Sequence, residues 1–204
     1  MAPQNTNPYL PQSHSKPRLI IGMTGASGAI LGIRLLEALK PTAIETHLVL
    51  STSAPLTLSQ ETDWKVEDVL SLADVSYDFR DIGASLASGS FATIGMVIIP
   101  CSIKTLSAVA NSYTEDLISR AADVTLKEGR PLILVVRETP YHPGHIRLMS
   151  EAATAGAIIF PPVPAFYIRP TSIDDLIDNT VGRILARLGI KTNLYQEWRG
   201  HSTE

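Results

Sequence analysis

Short apolar runs that barely alternate recur along this chain. RLIIGM at Arg18–Met23, GMVII at Gly95–Ile99 and PLILVV at Pro131–Val136 are the clearest. A strand with one wet face alternates polar and apolar residues; a strand covered on both faces does not. ETHLVL at Glu45–Leu50 and AIIF at Ala157–Phe160 complete a set of five expected strands. Between them the pattern is helical, over Ala29–Leu39, Ala54–Glu61, Leu106–Ala110, Leu117–Glu128 and Ile146–Ala155, with Ser172–Leu188 as a long last helix. Buried strands separated by helices specify an α/β fold: a single-domain parallel sheet with helices on both faces. Ligands of such sheets sit beyond the carboxyl ends of the strands, so function is sought in the loops that follow them.

The chain has 204 residues, 45% of them hydrophobic and 18% charged. That suits one compact domain with a sizeable core, here residues 18–204. Residues 1–17 are polar and proline-rich and read as a flexible extension. They lack the apolar centre of a signal peptide and the arginine-rich pattern of a transit peptide. No apolar run is long enough to span a bilayer, and a cytoplasmic protein is expected. A net charge of −3 argues against a nucleic-acid partner, which calls for a basic surface. A single cysteine excludes an internal disulfide framework and a cysteine-rich metal site.

The first loop reads Gly22-Met-Thr-Gly25-Ala26-Ser27-Gly28 and runs into a helix. Glycines let the backbone approach a ligand, the helix start offers free N–H groups, and Ser27 adds a hydroxyl. The spacing is not that of the dinucleotide fingerprint, and Ser51 stands where that motif wants an acid, so a standard NAD site is disfavoured. Pro100-Cys101-Ser102-Ile103-Lys104-Thr105 follows the third strand. Ser102 as a helix cap explains one residue. Lys104 in a first turn, where cations are disfavoured, calls for a bound anion. Cys101 lacks the partners of a nucleophile. Arg137 and Glu138 come directly after the fourth strand, where a charged pair is either a surface ion pair or part of a ligand edge. After the fifth, a proline-stiffened loop carries Phe166 and Tyr167. Ser85–Ser90 reads as a flexible segment able to close over a ligand, or as a plain linker.

Two patterns point elsewhere. Asp174-Asp175-x-x-Asp178 matches a magnesium-diphosphate motif, but its acids stand in the first turns of a helix, where the dipole favours them. His142 and His145 lack a third ligand at metal spacing. No metal is expected. Arg120, Lys127, Arg137 and Arg183 are scattered in sequence; converged, they make an anion pocket able to hold a leaving phosphate.

TGASGA, LVLS, ETD at Glu61–Asp63, ASGS at Ala87–Ser90, PCSIKTLSAVA, SRAADVTLKEGRPLILVVRETP, PPVPAFYIRP and the SIDDLID…VGRIL helix together resemble the UbiX-type flavin prenyltransferases, from about Leu19 to near Arg199. The resemblance implies a flavodoxin-like or Rossmann-like three-layer domain, assembled as a homododecamer. It implies that reduced FMN is a substrate, receiving a dimethylallyl group from dimethylallyl monophosphate at N5 and C6, without metal. The prenylated FMN then serves a UbiD-type decarboxylase, with ubiquinone synthesis and aromatic-acid breakdown both open as pathways. By matching position, Gly25, Ala26, Ser27, Ser51, Ser102, Ile103, Lys104, Thr105 and Arg137 are implied to contact FMN. Tyr167 and Arg183 are implied to hold the prenyl phosphate, with Lys127, Arg120 and Ser88 nearby. The resemblance also implies that Glu138 handles protons around the flavin, that Ser27 acts at the catalytic centre and that Glu61 helps order the pocket. The pocket is completed by neighbouring subunits.

Two rivals remain. A cysteine-decarboxylating flavoprotein needs an active-site histidine, yet no histidine lies between His47 and His142. An FMN-binding carrier or accessory subunit would need the glycine loop and Ser51, but not Glu138, Lys127, Tyr167 or Arg183.

Overall fold

The computed structural model describes residues 16–195, 197–198 and 200. Of the expected extension, all but Lys16 and Pro17 lies outside the described residues.

Six strands form one sheet: β1 (Arg18–Met23), β2 (Glu45–Leu50), β3 (Val75–Tyr77), β4 (Gly95–Cys101), β5 (Leu132–Val136) and β6 (Ile158–Ile159). Every pairing is parallel and the order is β3-β2-β1-β4-β5-β6. The helices are α1 (Ala29–Leu39), α2 (Ala54–Glu61), α3 (Val66–Leu72), α4 (Ile103–Ala110), α5 (Leu117–Lys127), α6 (Pro143–Thr154) and α7 (Ile173–Arg187). The three-layer parallel sandwich expected from the sequence is the one found.

The strands bury both faces, as their lack of alternation implied. Leu19, Ile21 and Met23 of β1 point into one core with α1, α3 and α7, while Ile20 joins Met96, Ile98 and the α4, α5 and α6 residues in the other. Gly22 also lies on this second face: a Cβ there would stand 3.3 Å from Ile118. Gly32 lets α1 lie close to the sheet; a Cβ there would come within 2.7 Å of the Ile99 carbonyl oxygen.

Some boundaries differ from expectation, each for a local reason. α4 starts at Ile103 rather than Leu106, because the Ser102 side chain caps it. α6 starts at Pro143 rather than Ile146, since His142 Nδ1 accepts from Gly144 N and Pro143 takes the first turn. β4 runs on to Cys101 past Pro100, with a register irregularity at the proline that tolerates its missing N–H. β6 contracts to two residues at the sheet edge. α3 and β3 were not expected at all. β3 is three residues long and exposed at two of them, so it leaves no apolar run to read.

Consecutive strands proceed outward from β1 in one direction and, from β4, in the other. The crevice between the carboxyl ends of β1 and β4 is therefore the switch point, where doubly wound sheets bind ligands.

Candidate active site

Thr24, the first residue beyond β1, joins the two loops that flank the switch point. Its hydroxyl donates to the Pro100 carbonyl at 2.7 Å and accepts from Ser102 N–H at 2.9 Å. Ser102 Oγ in turn caps α4 by accepting from Thr105 N–H at 3.3 Å. Gly25 follows Thr24 and lies so close to the loop after β2 that a Cβ would meet Ser53 Cβ at 2.4 Å. Thr57 Oγ1 donates to the Gly25 carbonyl at 3.0 Å.

These contacts enclose a cavity of about 200 Å³. Gly25, Ser51, Ser102, Lys104 and Thr105 line it, which brings together five of the residues singled out in sequence. Ala26 and Ile103 adjoin two of them and are partly buried. The cavity also has a wall that the sequence did not announce. Phe79 and Asp116 line it, and the Phe79 carbonyl accepts from Leu117 N–H at 3.0 Å. Phe79 belongs to a segment without periodicity. Asp116 carries a readable signal, because it caps α5 and pairs reciprocally with Ser119.

The start of α1 corrects one expectation. Its free N–H groups were assigned to a ligand, but Glu61 Oε2 accepts from Gly28 N at 2.8 Å and Ala29 N at 3.0 Å. Burial pulls the Glu61 carboxyl pKa upward. The Ser27 hydroxyl, the two N–H groups and the nearby Arg137 charge outweigh it and hold the pKa below the ordinary glutamate value. Ser27, Glu61 and Arg137 thus form one anionic-cationic group beside the cavity. Arg137 N–H donates to the Cys101 carbonyl at 3.1 Å, tying the end of β5 to the end of β4. Glu138, next in the chain, accepts from Thr139 N–H at 3.0 Å and leaves its side chain partly exposed. Cys101 is fully buried, and that burial drives its thiol pKa far upward; such a thiol is no nucleophile.

The cavity offers hydroxyls, one ammonium group, a close backbone approach at Gly25 and the start of α4, donors of the kind that hold a phosphate-bearing ligand. Comparison with known proteins gives the family. The Flavoprotein family model matches residues 9–184. The flavin prenyltransferase UbiX of Escherichia coli K12 is 60% identical over 186 residues, covering 90% of this chain and 98% of that one. The chain belongs to the UbiX family of flavin prenyltransferases. The crystal structure of AnUbiX in complex with FMN and dimethylallyl pyrophosphate superposes with a TM-score of 0.90 at 49% identity, covering 92% of this chain and all of the other. A dodecameric FMN-dependent UbiX-like decarboxylase from Escherichia coli O157:H7 gives 0.87 at 45%, covering 90% of this chain and all of that one.

In this flavin prenyltransferase the residues expected at the prenyl phosphate lie apart from the flavin cavity. Tyr167 sits in a short turn of 3-10 helix after β6, half-exposed, with its ring edge-on to Trp198 at 5.7 Å. Arg183 projects from α7 into a second cavity of about 230 Å³ beside Phe160 and Pro161. Lys127 ends α5, and Arg120 lies two turns before it, paired with Asp123 at 3.3 Å. α5 starts at the flavin cavity with Asp116, so Lys127 stands about 16 Å further along its axis, at the amino edge of the sheet. Ser88 is at that edge too. The segment expected to close over a ligand is tethered there: Arg130 donates to the Gly89 and Phe91 carbonyls at 2.8 Å each.

The acids of the Asp174-Asp175-x-x-Asp178 pattern are spoken for in the UbiX-family fold. Asp174 and Asp178 both pair with Arg34 of α1, and Asp175 completes the cap of α7 with Thr171 and Ser172. Among the described residues no group of three or more metal-type side chains converges, and no helix is long and apolar enough to cross a membrane.

Proposed function

We propose that this chain joins a dimethylallyl group from dimethylallyl monophosphate to N5 and C6 of reduced FMN, and that the prenylated FMN is delivered to a UbiD-type decarboxylase. The observation that carries this is the cavity at the switch point. It is lined by Gly25, Ser51, Ser102, Lys104 and Thr105, five of the positions at which UbiX-type sequences are expected to hold FMN. The likeness to AnUbiX, solved with FMN and dimethylallyl pyrophosphate, supports the pairing of substrates.

The chemistry divides among this chain's residues. Ser102, Lys104 and Thr105, at the start of α4, hold the flavin phosphate, and Gly25 and Ala26 let the ring lie against the backbone. Bound reduced FMN supplies N5 as nucleophile and C6 as the position of ring closure. Arg183, Lys127 and Arg120 neutralise the phosphate of the donor as it departs, with Tyr167 and Ser88 each adding a hydroxyl donor. As C6 closes the ring, the double bond of the transferred group takes up a proton, such as the one N5 released on alkylation, and Glu138 takes the proton from C6, so phosphate is the only leaving group. Glu61, held anionic by Ser27, Gly28 and Ala29, fixes the loop on which Ser27 sits.

Lys127 and Ser88 stand at the sheet edge opposite their own chain's flavin cavity. We assign them to the cavity of a neighbouring copy in a homo-oligomer. The dodecameric relative supports this arrangement. With no spanning helix among the described residues, the proposed setting is the cytoplasm.

The test is anaerobic. Purified protein is mixed with reduced FMN and dimethylallyl monophosphate, and the released flavin is weighed by mass spectrometry. A protein-dependent gain of one C5 unit is expected. Unmodified FMN from protein that binds it, with both the monophosphate and the pyrophosphate donor, would sink the proposal in favour of a carrier.

A further inference from the structure

Lys127-Glu128-Gly129-Arg130 closes α5 and turns the chain toward β5. Gly129, at φ +65°, takes the left-handed conformation that ends a helix. Its N–H donates to the Leu126 carbonyl, and the Arg130 N–H donates to the Thr125 carbonyl, each at 2.9 Å. That pair of bonds fixes the Arg130 backbone relative to Lys127. The Arg130 guanidinium then reaches back to the turn that carries Ser88. One terminal nitrogen donates to the Gly89 carbonyl and the other to the Phe91 carbonyl, at 2.8 Å each. The fork thus grips the backbone on both sides of Ser90. Inside the turn the Ser88 and Ser90 hydroxyls share a hydrogen bond of 2.9 Å. Gly89 lies against the Glu128 carboxylate, whose Oε1 a Cβ would meet at 2.0 Å. The same oxygen stands 3.7 Å from the Lys127 ammonium. One helix end therefore carries both Lys127 and the clamp on the Ser88 turn.

The structure assigns Arg130 as a positioning residue that fixes the Ser88 turn relative to Lys127, so that hydroxyl and ammonium meet the phosphate of the prenyl donor as one unit. This rests on the reading of Ser88 and Lys127 as ligands of that phosphate at the cavity of a neighbouring copy. Both terminal nitrogens of Arg130 are engaged by carbonyls, so it acts through the turn and not on the substrate. A loose turn would have to be ordered each time a phosphate bound, at a cost in affinity; a clamped one is ordered on folding. The planar fork suits this task, because it meets two carbonyls at once, whereas lysine offers a compact point charge on a flexible stem.

The test compares Arg130→Met, Ser88→Ala and the double variant. Methionine keeps an apolar stem and removes the donors. Protein loaded with oxidised FMN, which lacks the nucleophilic N5 and leaves the donor intact, is titrated with dimethylallyl monophosphate by calorimetry. Kd for FMN and the melting temperature are measured alongside. Each single variant is expected to weaken binding of dimethylallyl monophosphate about tenfold, with Kd for FMN unchanged. Because Arg130 acts through the turn, the double variant is expected to bind no more weakly than Arg130→Met alone. Arg130→Lys is expected to fall between wild type and Arg130→Met, and it takes the place of methionine in the comparison if Arg130→Met fails to assemble. Effects that multiply in the double variant overturn the assignment. So does a lower melting temperature in Arg130→Met with donor binding at wild-type strength, which would mark Arg130 as structural. Donor binding at wild-type strength in Ser88→Ala, in protein that still prenylates reduced FMN, removes the reading of Ser88 and the assignment with it.

Discussion

Thr24 and Ser102 belong to different strands' loops, 78 residues apart, yet Ser102 N–H donates to the Thr24 hydroxyl at 2.9 Å while that hydroxyl donates to Pro100. That side chain, together with the Thr24 N–H that donates to the same Pro100 carbonyl at 3.2 Å, ties the loop after β1 to the loop after β4 beside the cavity proposed for the flavin. Thr24 is 2% exposed, so water cannot replace it.

Thr24→Val keeps the shape and removes both hydrogen bonds. It is expected to destabilise the fold by about 2 kcal/mol, chiefly the cost of stranding the Ser102 N–H, since the Pro100 carbonyl keeps the Thr24 N–H at 3.2 Å, and to weaken FMN binding. Urea unfolding and flavin fluorescence quenching check the two effects. Thr24→Ser, which restores the hydroxyl, is expected to recover most of both. Equal loss in Val and Ser variants would assign the effect to the methyl group instead.

Glu61 links folding to pH. Its carboxyl pKa is lowered in the folded chain, where the Ser27 hydroxyl and two backbone N–H groups outweigh burial. The stability this contributes is present above the unfolded value of about 4.5 and is lost as pH falls through the lower folded value. Glu61→Gln is expected to be less stable than the wild type at pH 7, with the gap closing as pH falls below 4.5. Urea midpoints at a series of pH values measure it, and a gap undiminished at the acid end would refute the linkage.

His47 gives a second window at higher pH. Burial lowers its pKa from 6.5, against the opposing pull of Glu45, which accepts from one ring nitrogen while Tyr77 bonds the other. The unfolded chain therefore takes up a proton near pH 6.5 that the folded chain resists. Stability falls as pH drops below 6.5, by no more than about 1.4 kcal/mol per pH unit for one proton. His47→Gln is expected to flatten that slope between pH 6.5 and 5. A variant with the wild-type slope would place its origin elsewhere.

Glu138→Gln separates catalysis from binding. The side chain stays partly exposed at the end of β5 and its oxygen is bonded only by the neighbouring Thr139 N–H among the contacts described, so the amide fits without strain. FMN affinity is expected to hold, while prenylated flavin forms roughly 10²- to 10⁴-fold more slowly, the range for loss of a general base. Single-turnover mass spectrometry measures this, and unchanged turnover would remove Glu138 from the mechanism.

Much of this was legible in the sequence, for an identifiable reason. The runs RLIIGM, GMVII and LILVV are buried on both faces, so their composition alone announces parallel strands. Strand ends then locate Gly25, Ser51, Ser102, Lys104 and Thr105, because the fold gathers carboxyl-end loops at one edge. What escaped depends on contacts remote in sequence. Glu61 reaches the start of α1 across 33 residues and takes the N–H groups expected to serve a ligand. Phe79 enters the cavity from a segment with no period, and β3 is too short to leave one.

The direction of α5 has a consequence of its own. Because this helix starts at the cavity lined by Asp116 and carries Lys127 away to the opposite edge, the proposed role of Lys127 requires that the chain binding flavin and the chain lending Lys127 be different molecules. Two dead variants can therefore repair one another. Gly25→Ala, whose added carbon would strike Ser53 at 2.4 Å, spoils the receiving half; Lys127→Ala spoils the lending half. Each is expected to be nearly inactive alone. Co-assembled in equal amounts, they would leave about a quarter of the sites with both halves intact, as random mixing in a closed symmetric assembly requires. Activity in the mixture, absent from either parent, would be complementation between subunits, and its absence would mean that each chain serves only itself.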